Sequence, residues 1–203
     1  MKQLTVALPA GRSYDITISR GILSRCGEEI RKVYGGKEAA VVTDSNVGPL
    51  YAKAVIDSLR EAGFAVKSVS FPAGEPSKNM ETLVKLYDGL LSPYPFPLTR
   101  GGLIVALGGG VTGDMAGFAA ATLFRGVSFV QIPTTLLAQV DSSVGGKVAV
   151  DLKQGKNLAG AFYQPRAVLI DPDTLDTLPD RVFFDGMAEV VKYGLIGDAP
   201  LFA

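Results

Sequence analysis

LIVALGGGVTGDMAGFAAATLFRGVSFVQIPTTLLAQVDSSVGGK, residues 103–147, starts as an apolar strand, breaks into three glycines and continues as a helix of small residues. Leu103 to Leu107 shows no polar alternation, the pattern of a strand buried on both faces at the centre of a parallel sheet. Glycines at the carboxyl end of such a strand let phosphate oxygens reach main-chain N–H groups, and the helix starting near Val111 adds the positive end of its dipole. The spacing is G-G-G-x-x-G-D rather than the dinucleotide fingerprint G-x-G-x-x-G, so an ordinary strand-to-helix turn remains open at this point.

The same order of strand, turn and helix extends outward from this segment. Toward the N-terminus, Ala39 to Thr43 reads as a strand ending in Asp44-Ser45-Asn46, where ribose or adenine contacts fall in an open α/β sheet. A helix from about Pro49 to Glu61 follows and stops at Gly63. Ala65 to Phe71 is the next strand, and Lys78 to Leu91 a helix with Leu83, Leu86, Leu90 and Leu91 assigned to one face. Ser92 to Leu98 is a loop stiffened by three prolines. Earlier still, Ile22 to about Tyr34 reads as a helix, and Leu4-Val6-Leu8 with Tyr14-Ile16-Ile18 as a hairpin turning at Pro9-Ala10-Gly11. Beyond the opening segment come strands at Phe129 to Ile132 and Ala167 to Ile170, then a helix from Asp180 to Ile196. The expected class is α/β: a Rossmann-like parallel sheet with flanking helices and an N-terminal β-hairpin.

Composition narrows the function classes. The 203 residues, 47% hydrophobic, suffice for one sizeable core. Twenty basic and twenty acidic residues, with no long basic run, exclude the electrostatic footprint of a nucleic-acid binder. No apolar run approaches the ~18 residues of a membrane span, so the expectation is a cytoplasmic protein without membrane contact. The single Cys26 reads as a buried thiol. The chain has no histidine, so a metal or proton-transfer site has to use carboxylates, Lys, Tyr, Cys or a bound cofactor.

Three further groups carry chemistry. Thr134 and Thr135 at a strand end, and Lys147 after Gly145-Gly146, offer hydroxyls and a cation to a phosphorylated ligand; a capped helix followed by a hairpin is the plainer alternative. With Lys156 beside Gly155, the cations Arg125, Lys147 and Lys156 are candidates to converge on one anion. Glu189 and Lys192 share a helix face, either as a surface ion pair or, given their apolar neighbours Met187, Val190 and Val191, as functional groups.

Taken in order, Gly108–Asp114, Pro133–Lys147, Gly155–Leu158 and Gly186–Gly194 resemble the 3-dehydroquinate synthase family, and the resemblance spans essentially the whole chain. It implies an NAD-dependent, zinc- or cobalt-dependent carbon–oxygen lyase of the shikimate pathway. Such an enzyme converts 3-deoxy-D-arabino-heptulosonate 7-phosphate to 3-dehydroquinate and phosphate. It implies cofactor contacts from Asp44, Asn46, Glu75 and Lys78 on the nucleoside side, and from Gly109, Gly110, Val111 and Asp114 at the pyrophosphate. Thr134, Thr135, Thr177 and Leu178 would surround the nicotinamide side, and Lys156 would be a further contact. Asp141, Lys147, Asn157 and Lys192 are implied to bind substrate, with Asp141, Lys147 and Lys192 catalytic and with Lys147 and Asn157 at the phosphate end. Arg125 is implied to reach a phosphate across a homodimer interface, and Glu189 to ligate the metal.

The family's two other metal ligands are histidines of a C-terminal helical domain. The expectation is therefore an NAD-binding domain over residues 1–180 and the first helix of a second domain over 181–203. The chain would then be an N-terminal portion that is inactive alone and does not hold the metal by itself. Alternatives are an NAD-binding module without catalysis, a related sugar-phosphate cyclase, or an enzyme like glycerol dehydrogenase.

Overall fold

A computed structural model describes residues 1–9 and 11–202; Ala10 of the expected Pro9-Ala10-Gly11 turn and Ala203 lie outside them. The strands are β1 (Lys2–Val6), β2 (Tyr14–Ile18), β3 (Glu38–Asp44), β4 (Ala65–Phe71), β5 (Leu103–Gly108), β6 (Ser128–Pro133), β7 (Lys147–Leu152), β8 (Gly155–Phe162) and β9 (Ala167–Ile170). The helices are α1 (Cys26–Val33), α2 (Lys53–Glu61), α3 (Met80–Leu91), α4 (Gly110–Thr122), α5 (Asp180–Gly197) and α6 (Ala199–Phe202). Seven strands form one sheet in the order β1-β2-β9-β6-β5-β3-β4, parallel except for the antiparallel β1–β2 hairpin.

Every residue of β5 is buried, as its unbroken apolar run requires. Successive side chains of a strand face opposite ways. Ile104 and Ala106 accordingly join the cluster under α3 and α4, with Leu83, Leu86, Leu90 and Met115. Leu103, Val105 and Leu107 join the cluster under α1 and α2, with Ile30, Val55 and Leu59. The sheet is thus covered by helices on both faces, as the sequence pattern predicts.

β7 and β8 pair antiparallel as a separate two-stranded sheet outside α4. This layer explains why α4 is apolar all round rather than amphipathic: it is enclosed by the sheet on one side and by Val148 and Val150 on the other. The contact is close, since a Cβ at Gly117 would stand 2.4 Å from Val148 Cγ1. The segment that leads into the β7–β8 hairpin contains a π-helical turn at Ala138–Ser142, a local structure compatible with either reading of Thr134, Thr135 and Lys147.

Some boundaries differ from those expected. The stretch from Ile22 splits into a 3₁₀ turn (Ile22–Arg25) and α1, and the one from Pro49 into a π-helical turn (Gly48–Ala52) and α2. α3 starts two residues late because the Asn79 side chain caps it, accepting from the Thr82 N–H at 2.9 Å. Leu91 is exposed, off the buried stripe of Leu83, Leu86 and Leu90. Lys67, buried on β4, donates to the carbonyls of Leu90, Ser92 and Phe96 and so ties down the proline loop. Among the described residues no helix is long and apolar enough to cross a membrane.

Candidate functional site

From β3 the chain goes to β4 on one side of the sheet, and from β5 to β6 on the other. The carboxyl ends of β3 and β5 therefore flank a crevice at the topological switch point, where open α/β sheets bind ligands. Asp44 ends β3 and Gly108 ends β5. One Asp44 oxygen accepts from the N–H groups of Asn46 and Val47 at 2.9 and 3.0 Å; the other accepts from Thr112 Oγ1 at 2.9 Å. Asp44 thereby ties the end of β3 to the first turn of α4. Gly109 precedes α4 without a side-chain cap, which leaves first-turn N–H groups facing the crevice. A Cβ at Gly109 would meet Thr135 Cγ2 at 2.9 Å, and one at Gly110 would meet Ser142 Oγ at 3.1 Å. Main chain alone can line this turn.

A cleft of about 570 Å³ opens here. Asp44, Asn46, Glu75, Lys78, Gly109, Gly110, Val111, Asp114, Thr134, Thr135, Thr177 and Leu178 all line it, so the expected cofactor residues meet at one place apart from Lys156. Lys156 is instead paired with Glu75 at 2.7 Å on the rim. Thr134 Oγ1 is buried with no hydrogen-bond partner among the described residues, on a residue of the cleft wall. An open helix N-terminus, glycine main chain and an unmet hydroxyl suit a dinucleotide pyrophosphate with its ribose hydroxyls.

A second cleft of about 470 Å³ adjoins the first and shares Asp114, Ser142 and Asn157 with it. Asp141, Lys147 and Asn157, three of the expected substrate residues, line it. The Lys147 side chain is exposed and makes no ion pair or hydrogen bond within the described residues, so its charge is available to an anion. Behind the shared wall, the buried Lys78 ammonium stands 2.5 Å from Asp114 Oδ2 and 2.5 Å from Asn157 Oδ1. Burial holds the Asp114 carboxyl above its ordinary value, while Lys78 beside it pulls the other way.

The remaining expected residues lie elsewhere. Arg125 is exposed just past the carboxyl end of α4, about 20 Å along the helix from the glycine turn. Both Phe124 (φ 53°) and Arg125 (φ 66°) are left-handed. Arg125, Lys147 and Lys156 do not converge on one anion within the chain: α4 separates the first from the second, and Glu75 engages the third. Lys192 and Glu189 form an ion pair on α5 and line neither cleft. Hydrogen bonding to Glu189 raises the Lys192 pKa.

α5 approaches the site through Gly186, where a Cβ would lie 2.6 Å from the Leu137 nitrogen. It also does so through Tyr193, whose hydroxyl donates to Asp141 Oδ1 at 3.0 Å. Ser142, in the wall between the clefts, and Tyr193 are site residues to which the sequence pattern assigns no individual role. Tyr193 stood one residue beyond the Glu189-x-x-Lys192 pair, the only local signal available for it.

Among the described residues no group of three or more His, Cys, Asp or Glu side chains is placed to hold a metal ion. Glu189 belongs to no such group and the chain has no histidine to join it, so these residues do not fit a complete metal centre.

A family model described as 3-dehydroquinate synthase N-terminal matches residues 68–185, more than half of the chain. The chain belongs to the 3-dehydroquinate synthase family. The 3-dehydroquinate synthase of Clostridium botulinum (strain Alaska E43 / Type E3) is 54% identical over 202 residues, covering 100% of this chain and 57% of that protein. A 2-deoxy-scyllo-inosose synthase complexed with carbaglucose-6-phosphate, NAD+ and Co2+ superposes with a TM-score of 0.86 at 32% identity, over 96% of this chain and 52% of the other. ValA, the 2-epi-5-epi-valiolone synthase of Streptomyces hygroscopicus subsp. jinggangensis 5008 with NAD+ and Zn2+ bound, gives 0.82 at 30% identity, over 96% and 53%. The chain spans little more than half the length of the curated 3-dehydroquinate synthases it matches.

Proposed function

We propose that the chain is the NAD-holding part of a 3-dehydroquinate synthase, acting on 3-deoxy-D-arabino-heptulosonate 7-phosphate to give 3-dehydroquinate and phosphate in the cytoplasm. The observation that carries this is the juxtaposition of a glycine-lined cleft at the switch point with a second cleft holding the unpaired Lys147, across the wall of Asp114, Ser142 and Asn157. NAD supplies reversible hydride acceptance when bound. The chain's own residues bind and orient. The first turn of α4, with Gly109 and Gly110, takes the pyrophosphate, while Asn46, Glu75 and Lys156 take the nucleoside side. Thr134, Thr135, Thr177 and Leu178 flank the nicotinamide.

In this reading Lys147 and Asn157 bind the phosphate of the substrate, and Asp141 with Lys192 binds its hydroxyl and carboxylate end. Arg125, held outward by its left-handed backbone, serves the site of a second copy, so the working state is a homodimer. Glu189 is the single metal-directed carboxylate, and no step is assigned to a metal. Residues 1–180 form the NAD domain and 181–203 open a helical one. In support of this division, α5 buries only Gly186 and Gly194 and exposes Phe184, Leu195 and Ile196.

Titration calorimetry with NAD tests the reading. Saturable binding that Gly110→Val abolishes is the expected result, together with negligible phosphate release from the sugar-acid substrate by this chain alone. Absence of NAD binding sinks the cofactor assignment. Strong phosphate release sinks the claim that further residues are needed.

A further inference from the structure

Lys78 is aligned by resemblance with a cofactor contact, yet its ammonium is committed elsewhere. It is 6% exposed and lies between Asp114 Oδ2 and Asn157 Oδ1, 2.5 Å from each. An ammonium only donates, so Asn157 must turn its carbonyl oxygen toward Lys78. The two N–H donors then occupy the other arm of the planar amide.

The main chain of Asn157 is fixed as well. At φ 57° its N–H donates to Asp151 Oδ1 at 2.8 Å, and the Asp151 N–H donates to the Lys78 carbonyl at 2.9 Å. Lys78 therefore holds Asn157 at both ends of one closed circuit. Asn157 lines the same cleft as the unpaired Lys147.

We infer that Lys78 is a positioning residue for an oxyanion: it fixes the Asn157 amide so that its N–H pair, with Lys147, receives a phosphate group. The inference rests on reading the second cleft as the phosphate end of the substrate site. The same ammonium braces Asp114 under the cofactor cleft, so one side chain supports both walls.

The test is a titration of the full chain with inorganic phosphate, following the side-chain amide resonance of Asn157 and the phosphate affinity. In the wild-type chain phosphate shifts that resonance. Lys78→Met and Asn157→Ala each weaken phosphate about tenfold, the loss of one hydrogen bond to a charged group. The double variant is no weaker than either single one, because Lys78 acts through Asn157. Asn157→Asp is weaker than Asn157→Ala, since a carboxylate oxygen then faces the anion.

Additive losses, or unchanged affinity in Lys78→Met, overturn the inference, as does a wild-type chain that binds no phosphate. Phosphate binding that survives Lys147→Ala instead overturns the reading of the cleft. Should Lys78→Met fail to fold because it strands Asp114, the variant used is Lys78→Met/Asp114→Asn, in which neither buried charge remains; adding Asn157→Ala to it is expected to weaken phosphate no further, and a further tenfold loss overturns the inference.

Discussion

Two side chains illustrate what burial does to chemistry in this chain. Cys26 is 0% exposed under α2, and burial pushes its thiol up to about 11. A thiol in that state presents almost no thiolate near neutrality. A disulfide reagent at pH 8 is expected to leave the native chain unmodified over minutes and to label it fully in urea; rapid native labelling contradicts the burial argument. Asp114 is the second case. Its carboxyl is raised above 3.8 by burial, so between 3.8 and the raised value the folded chain binds a proton that the unfolded chain lacks. Stability from this group is greatest at the acid end of that window and falls as pH rises through it. Urea unfolding of the wild-type chain and of Asp114→Asn, compared at several pH values, is expected to show the wild type gaining on the variant as pH is lowered through the window. A pH-independent difference refutes this.

At the scale of elements, α4 depends on having no side chain where the outer hairpin crosses it. Gly117→Ala places a methyl 2.4 Å from Val148 Cγ1 and is expected to cost about 1–3 kcal/mol in urea unfolding, although alanine is the better helix former in isolation. A stabilised variant disproves the close packing. Asn79→Ala removes the cap of α3 and is expected to cost about 1 kcal/mol by the same measurement.

The elements legible in the sequence are those whose signal is local. β5 declares itself by its unbroken apolar run, the glycine turn by its composition, and β4 and β9 by their length and bounds. β7 and β8 are less legible, because six of the eight residues of β8 are Gly, Lys, Asn or Ala, types of low strand propensity whose pairing is decided by α4 beneath them. The site divides in the same way. The glycines and threonines of the first cleft lie next to strand ends and are found by pattern. The links from Lys78 to Asn157 and from Tyr193 to Asp141 join residues far apart in the chain, where no spacing rule reaches them.

For the molecule as a whole, the proposed ligand and the fold are linked by mass action. NAD at a hundred times its dissociation constant is expected to raise the unfolding free energy by about 2.7 kcal/mol, and Gly110→Val to remove that increment. A thermal melt with and without NAD reads this directly, and an unchanged midpoint in the wild-type chain contradicts cofactor binding. The parallel pairing of β2 with β9, Asp15 beside Ala167 through Ile18 beside Ile170, has a consequence in time. The Asp171 carboxylate reinforces the pairing by accepting from the N–H groups of Gly21 and Leu23. At ~5–20 residues per second a ribosome makes β2 roughly eight to thirty seconds before β9 exists. For that interval the nascent N-terminal hairpin presents an unsatisfied strand edge, and only the late arrival of residues 167–170 takes that edge out of reach of other chains.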